Sequence, residues 1–145
     1  MKMKFGLDTS CIVALLSGGH LRHTATREGY IARRRRGEQP VIPVHALLES
    51  YSVLTRSPAP LFVRAAQVRE MFIENFYEVA EIPALTSKLC LETLDELAGR
   101  AIGGGFVYDA IIAQSCADAG AKVLLTWNAH DFLRAAISGL EIREP

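Results

Sequence analysis

The chain has 145 residues, half of them hydrophobic and 22% charged, so it can bury a core of its own and fits one domain over residues 1–145 better than two. Sixteen Lys and Arg balance sixteen Asp and Glu, which excludes a generally basic nucleic-acid coat protein and an acidic disordered tail. The balance hides a gradient: residues 1–69 carry 11 basic and 4 acidic side chains and residues 70–145 carry 5 and 12, a split that favours an anionic ligand or charge-driven self-association.

Lys4–Asp8 is a short apolar run closed by a polar residue, as in a buried strand, and Thr9 and Ser10 are placed to cap a helix that runs to Leu16. Gly18-Gly19 breaks that helix, and His20–Arg36 reads as a second, polar one ending at Gly37. Pro40–Val44 is a second strand, with Pro43 favouring an end or edge position. His45–Arg56 carries Leu47, Leu48, Tyr51 and Leu54 at helical spacing, and Ser57-Pro58 leads to another amphipathic helix marked by Leu61, Ala65, Val68 and Phe72. Tyr77–Ile82 reads as a third strand closed by Pro83, and Leu85, Leu89, Leu94 and Leu97 mark a helix to about Ala101. Beyond Gly103-Gly104-Gly105, Val107–Ala119 is helical, Lys122–Thr126 is a buried strand, Asp131–Ile137 a short helix and Leu140–Ile142 a last short strand. Strands alternating with helices predict an α/β fold: a central, mostly parallel twisted sheet of four to five strands with helices on both faces.

Cys11, Cys90 and Cys116 lie far apart with no CxxC or CxxH pair, which argues against structural zinc and suits free thiols in a reducing cytoplasm. The amino terminus superficially looks like a signal peptide, but Asp8 interrupts it and Cys11–Leu16 is only six residues long. No run approaches the roughly 18 apolar residues of a membrane span, so a soluble cytoplasmic protein with no membrane partner is expected.

In parallel sheets, ligands bind beyond the carboxyl ends of the strands, near the point where strand order reverses. Asp8 closes the first strand, Glu49 lies one turn into the helix after the second, and Asp109 opens the helix leading to Lys122–Thr126; Asn128 and Asp131 follow that strand. Taken singly, each acid has a plain structural role: Asp8 as a helix cap, Glu49 as a charge at the core edge, Asp109 as a favourable charge near a helix N-terminus. Taken together they repel, and a fold that gathers them calls for a counter-cation. Carboxylate oxygens suit Mg²⁺ or Mn²⁺, which can activate water and stabilise charge on a phosphate.

The stretches FGLDTSCIVALL, HALLESYSVLTR and FVYDAIIAQSCADAGAKVLLTWNAHDF, in that order, resemble the PIN-domain family and, within it, VapC-type toxin ribonucleases. The similarity runs from near the first residue to about residue 132. It implies that Asp8, Glu49 and Asp109 are the metal-site acids, that Thr9 is the hydroxyl residue beside the first and that Thr126 is the one ending the later strand. Asn128 stands where a further acid is common in the family, and Asp131 is the alternative fourth carboxylate. The resemblance further implies a metal-dependent endoribonuclease that leaves 5′-phosphate and 3′-hydroxyl ends, a homodimer, and a small antitoxin that occludes the acidic cleft. The helices around Leu61–Phe72 and Leu85–Leu97 are placed to supply apolar contact surface. The rival reading is a catalytically inactive PIN-like module that binds RNA or protein.

Arg33, Arg34, Arg35 and Arg36 form the densest charge in the chain, either a solvated helix end or an RNA phosphate contact flanking the cleft. His45 and Glu49 share a helix face but make too short a pattern to define a metal site. His130 reads as a surface loop residue, and Trp127, the only tryptophan, as core.

Overall fold

The computed structural model describes residues 2–145. Four short strands, β1 (Lys4–Leu7), β2 (Gln39–Val41), β3 (Val123–Leu125) and β4 (Glu141–Arg143), form one sheet in the order β2-β1-β3-β4. Every neighbouring pair is parallel, with Gly6 opposite Val41 on one side and Leu124 on the other. Phe5, Gly6 and Leu7, and Val123, Leu124 and Leu125, are all buried. Successive strand residues point to opposite faces, so both faces of the sheet are covered. The chain leaves β1 towards β2 and leaves β3 towards β4, in opposite directions. The switch point therefore falls between β1 and β3.

Among the described residues seven α-helices accompany the sheet: α1 (Thr9–Leu16), α2 (His23–Arg35), α3 (Val44–Arg56), α4 (Ala65–Phe72), α5 (Ser87–Gly99), α6 (Phe106–Asp118) and α7 (Ala129–Phe132). Helix α6 packs hard against β1, because a Cβ at Gly6 would lie 2.3 Å from Cys116 Sγ. Edge-on contacts link Phe5 to Tyr30 and Tyr30 to Phe76, joining α2 and the segment after α4 to the sheet. Each fully buried side chain of this size contributes roughly 1.5–3 kcal/mol relative to exposure. Cys11 and Cys116 are buried free thiols, and burial raises both pKa values. Among the described residues no helix is long and apolar enough to cross a membrane.

Several boundaries differ from the sequence expectation for physical reasons. The strand expected over Tyr77–Ile82 contracts to a single bridge between Val41 and Glu81. There the Glu81 N–H donates to the Pro40 carbonyl and the Ile42 N–H to the Glu81 carbonyl. Extending the ladder either way would need N–H groups at Pro40 and Pro83, which have none. Tyr77 instead closes a π-helical turn, Ile73–Tyr77, in which the Asn75 side-chain amide donates to the Met71 carbonyl. The second strand stops at Val41 because Pro43 precedes the first turn of α3. The polar helix begins at His23 and not at His20, and the helix after Ser57-Pro58 begins only at Ala65. The short helix after β3 starts earlier than expected, at Ala129, and continues as a 3₁₀ turn, Leu133–Ala135.

Candidate active site

Asp8 follows β1 at the switch point and is the N-cap of α1, in place of Thr9 or Ser10: its Oδ1 accepts from the Cys11 N–H at 2.9 Å. The cap and the ligand roles are therefore compatible, since capping engages one carboxylate oxygen. Asp8 is 2% exposed, and two hydroxyls also hold it, one of them itself held by a backbone N–H. Ser10 Oγ donates to Oδ1 at 2.7 Å, Thr126 Oγ1 donates to Oδ2 at 2.5 Å, and Thr126 Oγ1 accepts from the Asn128 N–H at 2.9 Å. The Trp127 N–H donates to Ser10 Oγ at 3.0 Å, which stitches the end of β3 to the start of α1. Burial raises the Asp8 pKa, and the hydroxyl and N–H contacts oppose that rise.

One cleft of about 220 Å³ brings together Asp8, Thr9, Glu49, Asp109 and Asn128 over an apolar floor that includes Val13, Ile112 and Phe132. Asp109, in the first turn of α6, has its pKa pushed up to about 6 by partial burial and then by the charges of Asp8, Glu49 and Asp131; His45 opposes the rise. Asp131 thus acts on the cleft through its field, while Asn128 lines it. Glu49 Oε2 lies 3.5 Å from His45 Nε2, one turn earlier on α3, and the His45 ring stacks on Tyr108 with centroids 4.9 Å apart. The expectation that His45 and Glu49 share a helix face is met, and Tyr108 fixes the ring.

The residues fit a hard divalent cation. Three carboxylates from distant segments face one cleft with His45 as the opposing group, and Thr9 Oγ1 is buried with no hydrogen-bond partner. Among the described residues no three His, Cys, Asp or Glu side chains stand close enough together to hold a metal ion as they are placed. The acids line an open cleft instead.

The structure does not bring Arg33–Arg36 to this cleft. They end α2 and lead into the start of β2, at the amino end of a parallel sheet whose carboxyl end carries Asp8 and Thr126. Glu38 also engages three of them: Arg33 and Arg36 pair with its carboxylate at 2.8 Å and Arg34 donates to its carbonyl at 2.8 Å. Arg33 also lies over the Phe5 ring. Of the two readings of this run, the placement agrees with the helix end, where three of the four arginines engage Glu38.

Two residues of the site escaped sequence reasoning. Ser10, read as a helix cap, instead aligns Asp8. His20, placed inside a helix from sequence, sits in a turn and lines the cleft. The Gly18-Gly19 pair just before His20 was the available signal of that turn. Trp127 is half-buried against the core as expected, and its indole N–H donates to Thr26 Oγ1 at 2.8 Å.

Comparison with known proteins turns this geometry into a family assignment. The PIN-domain family model matches residues 6–137, which include every acid of the cleft. The chain belongs to the PIN-domain family. Ribonuclease VapC27 of Mycobacterium tuberculosis is 34% identical over 124 residues, covering 85% of this chain and 84% of that protein. Ribonuclease VapC40 of the same species is 32% identical over 117 residues, 81% of each chain, so this PIN domain falls among the VapC ribonucleases. Mycobacterium tuberculosis VapC20, a Sarcin-Ricin loop cleaving toxin, superposes with TM-score 0.73 at 16% identity over 93% of this chain and 97% of that one. DNA-bound VapBC from Salmonella typhimurium matches with TM-score 0.67 at 26% identity over 98% of both chains.

Proposed function

We propose that this PIN domain is the toxin ribonuclease of a toxin–antitoxin pair and that its cleft hydrolyses RNA phosphodiester bonds with Mg²⁺ or Mn²⁺ held by Asp8, Glu49 and Asp109. The observation that carries the reading is the gathering of Asp8, Glu49 and Asp109 from distant segments around one open cleft, where their charges and that of Asp131 add to burial in raising the Asp109 pKa. A divalent cation bound there would activate a water for attack on phosphorus and offset the phosphate's charge.

The chain's own residues have distinct parts. Asp8 is held in one orientation by Ser10, Thr126 and the Cys11 N–H, so its carboxylate needs little reorganisation. The Thr126 hydroxyl is engaged with Asp8, which makes it a positioning residue. Asn128 offers an uncharged amide at the mouth of the cleft, suited to orient a phosphate oxygen or a water. Val13, Ile112 and Phe132 beneath the acids limit water on the floor and strengthen charge interactions above it.

The VapC ribonuclease relatives support RNA as substrate, and the VapBC structural neighbour supports an antitoxin partner. Leu91 and Leu94 of α5, at 61% and 50% exposure, and Leu85 before it support that face as the surface for self-association into a homodimer. The test is cleavage of a structured RNA by wild type and by Asp8→Asn, with Mg²⁺ or Mn²⁺ and with chelator. Wild type is expected to cut only with metal and the variant not at all; metal-independent cutting by both would refute the reading.

A further inference from the structure

With Arg33–Arg36 at the far end of the sheet, the cleft needs another source of phosphate contacts, and the Ser17–Arg22 turn supplies one. We propose that this turn is the substrate-phosphate clamp of the cleft, with His20 donating a hydrogen bond to one phosphate of the bound RNA and Arg22 pairing with a neighbouring phosphate. The proposal rests on the ribonuclease reading and adds the residues that hold the substrate.

Four observations carry it. First, the turn is built to a fixed shape: the His20 N–H donates to the Ser17 carbonyl, the His23 N–H donates to the His20 carbonyl, and Ser17 Oγ donates to the Leu61 carbonyl. A Cβ at Gly19 would lie 2.3 Å from the Pro60 carbonyl oxygen, so only glycine lets the turn sit against that segment. Second, His20 lines the cleft beside the carboxylates, and its Nδ1 accepts from the Arg22 N–H at 2.9 Å. With Nδ1 filled, the ring's proton is on Nε2, where it is a donor. Burial, Arg22 and His23 lower the His20 pKa, which keeps the ring neutral. Third, the Arg22 guanidinium carbon lies over the Trp127 ring, 4.2 Å from its centroid, and has no carboxylate at ion-pair distance among the described residues. Stacking pre-orders the planar group and leaves its N–H edge for a phosphate. Fourth, the Trp127 platform is tied to the reacting centre, because its N–H donates to the same Ser10 Oγ that orients Asp8 and the next residue, Asn128, lines the cleft. A donor lining the cleft and a stacked cation two residues further along the chain form a pattern that suits successive phosphates of one strand.

The test measures RNA affinity against salt in the cleavage-deficient Asp8→Asn background, and cleavage in the wild-type background. Adding Arg22→Ala is expected to weaken binding about tenfold and to reduce the slope of log affinity against log salt by about one. Arg22→Lys keeps the slope, and His20→Ala weakens binding about three- to tenfold without changing it. Arg35→Ala changes neither quantity. Thermal melting confirms folding, and the fluorescence of Trp127 reports loss of the Arg22 stack. Affinity and slope unchanged in both Arg22→Ala and His20→Ala, with wild type still cleaving RNA, overturn the clamp alone. Arg22-dependent binding with no cleavage by wild type overturns the ribonuclease reading alone.

Discussion

At the amino end of the sheet, Arg33, Arg34 and Arg36 crowd one glutamate; at the carboxyl end, Asp8, Glu49 and Asp109 share a cleft, with Asp131 adding its field and His45 opposing it. Both are dense clusters of like charge, and the sequence shows the arginines more plainly. They differ in whether the protein neutralises its own charge. Glu38 is shared between Arg33 and Arg36, its side chain is only 14% exposed, and its pKa falls through the hydrogen bonds and charges of those arginines despite some burial. At the switch point of the sheet, partial burial and then the charges of Asp8, Glu49 and Asp131 instead raise the pKa of Asp109. A cluster that satisfies itself shapes the fold, whereas one left unsatisfied marks where something else binds.

The largest expected effect comes from Asp109→Asn. RNA cleavage should fall on the order of 10²–10³-fold or more, as for loss of a charge that acts at the reacting centre. The same change should stabilise the metal-free protein. Folded Asp109 holds its proton up to about pH 6 against an ordinary value of 3.8, so between those values the folded state binds more protons than the unfolded chain. The stability this group confers is therefore complete below about pH 4 and is lost as pH rises through 6. Melting curves of metal-free wild type should lose stability over that window, and Asp109→Asn should flatten the loss and melt higher at pH 7.

Ser10→Ala sharpens the same contrast with a smaller effect. It leaves all three acids in place but removes the hydroxyl that links Asp8 to the Trp127 N–H. Metal affinity or cleavage should drop about 10–100-fold, as when an outer partner of a metal ligand is lost. Metal-binding calorimetry and cleavage rates measure it directly. At the other end of the sheet, Arg33→Ala should cost about 1–2 kcal/mol of stability by breaking a mostly buried ion pair and a cation–ring contact, yet leave cleavage unchanged. Arg35→Ala should stay within about 0.5 kcal/mol of wild type in denaturant unfolding. A cleavage defect in Arg33→Ala would break the comparison.

Asp8 and Glu49 were legible because each sits where the chain turns from strand to helix, and Asp109 because it opens the helix leading to β3; those placements survive errors of a few residues in the element boundaries. The third strand was misread because Tyr77–Ile82 has the composition of a strand. What ends its ladder is the missing N–H of Pro40 and Pro83, a property of pairing that composition does not carry. The arginine run was placed rightly at a helix end, but its two readings stayed open because charge along the chain gives no distance to its partner Glu38 or to the cleft. His20 and Ser10 act through contacts across the fold, to Pro60 by way of Gly19 and to Trp127, and these appear only once β1 and β3 lie side by side.

The most direct test of the central claim is calorimetric titration of the metal-free protein with Mn²⁺ at pH 7, for wild type and for Asp109→Asn. The account predicts saturable binding with proton release by wild type, since a carboxyl with a pKa near 6 is partly protonated before the cation displaces its proton, and weak or absent binding by the variant. Equal binding by both proteins, or none by wild type, would contradict it.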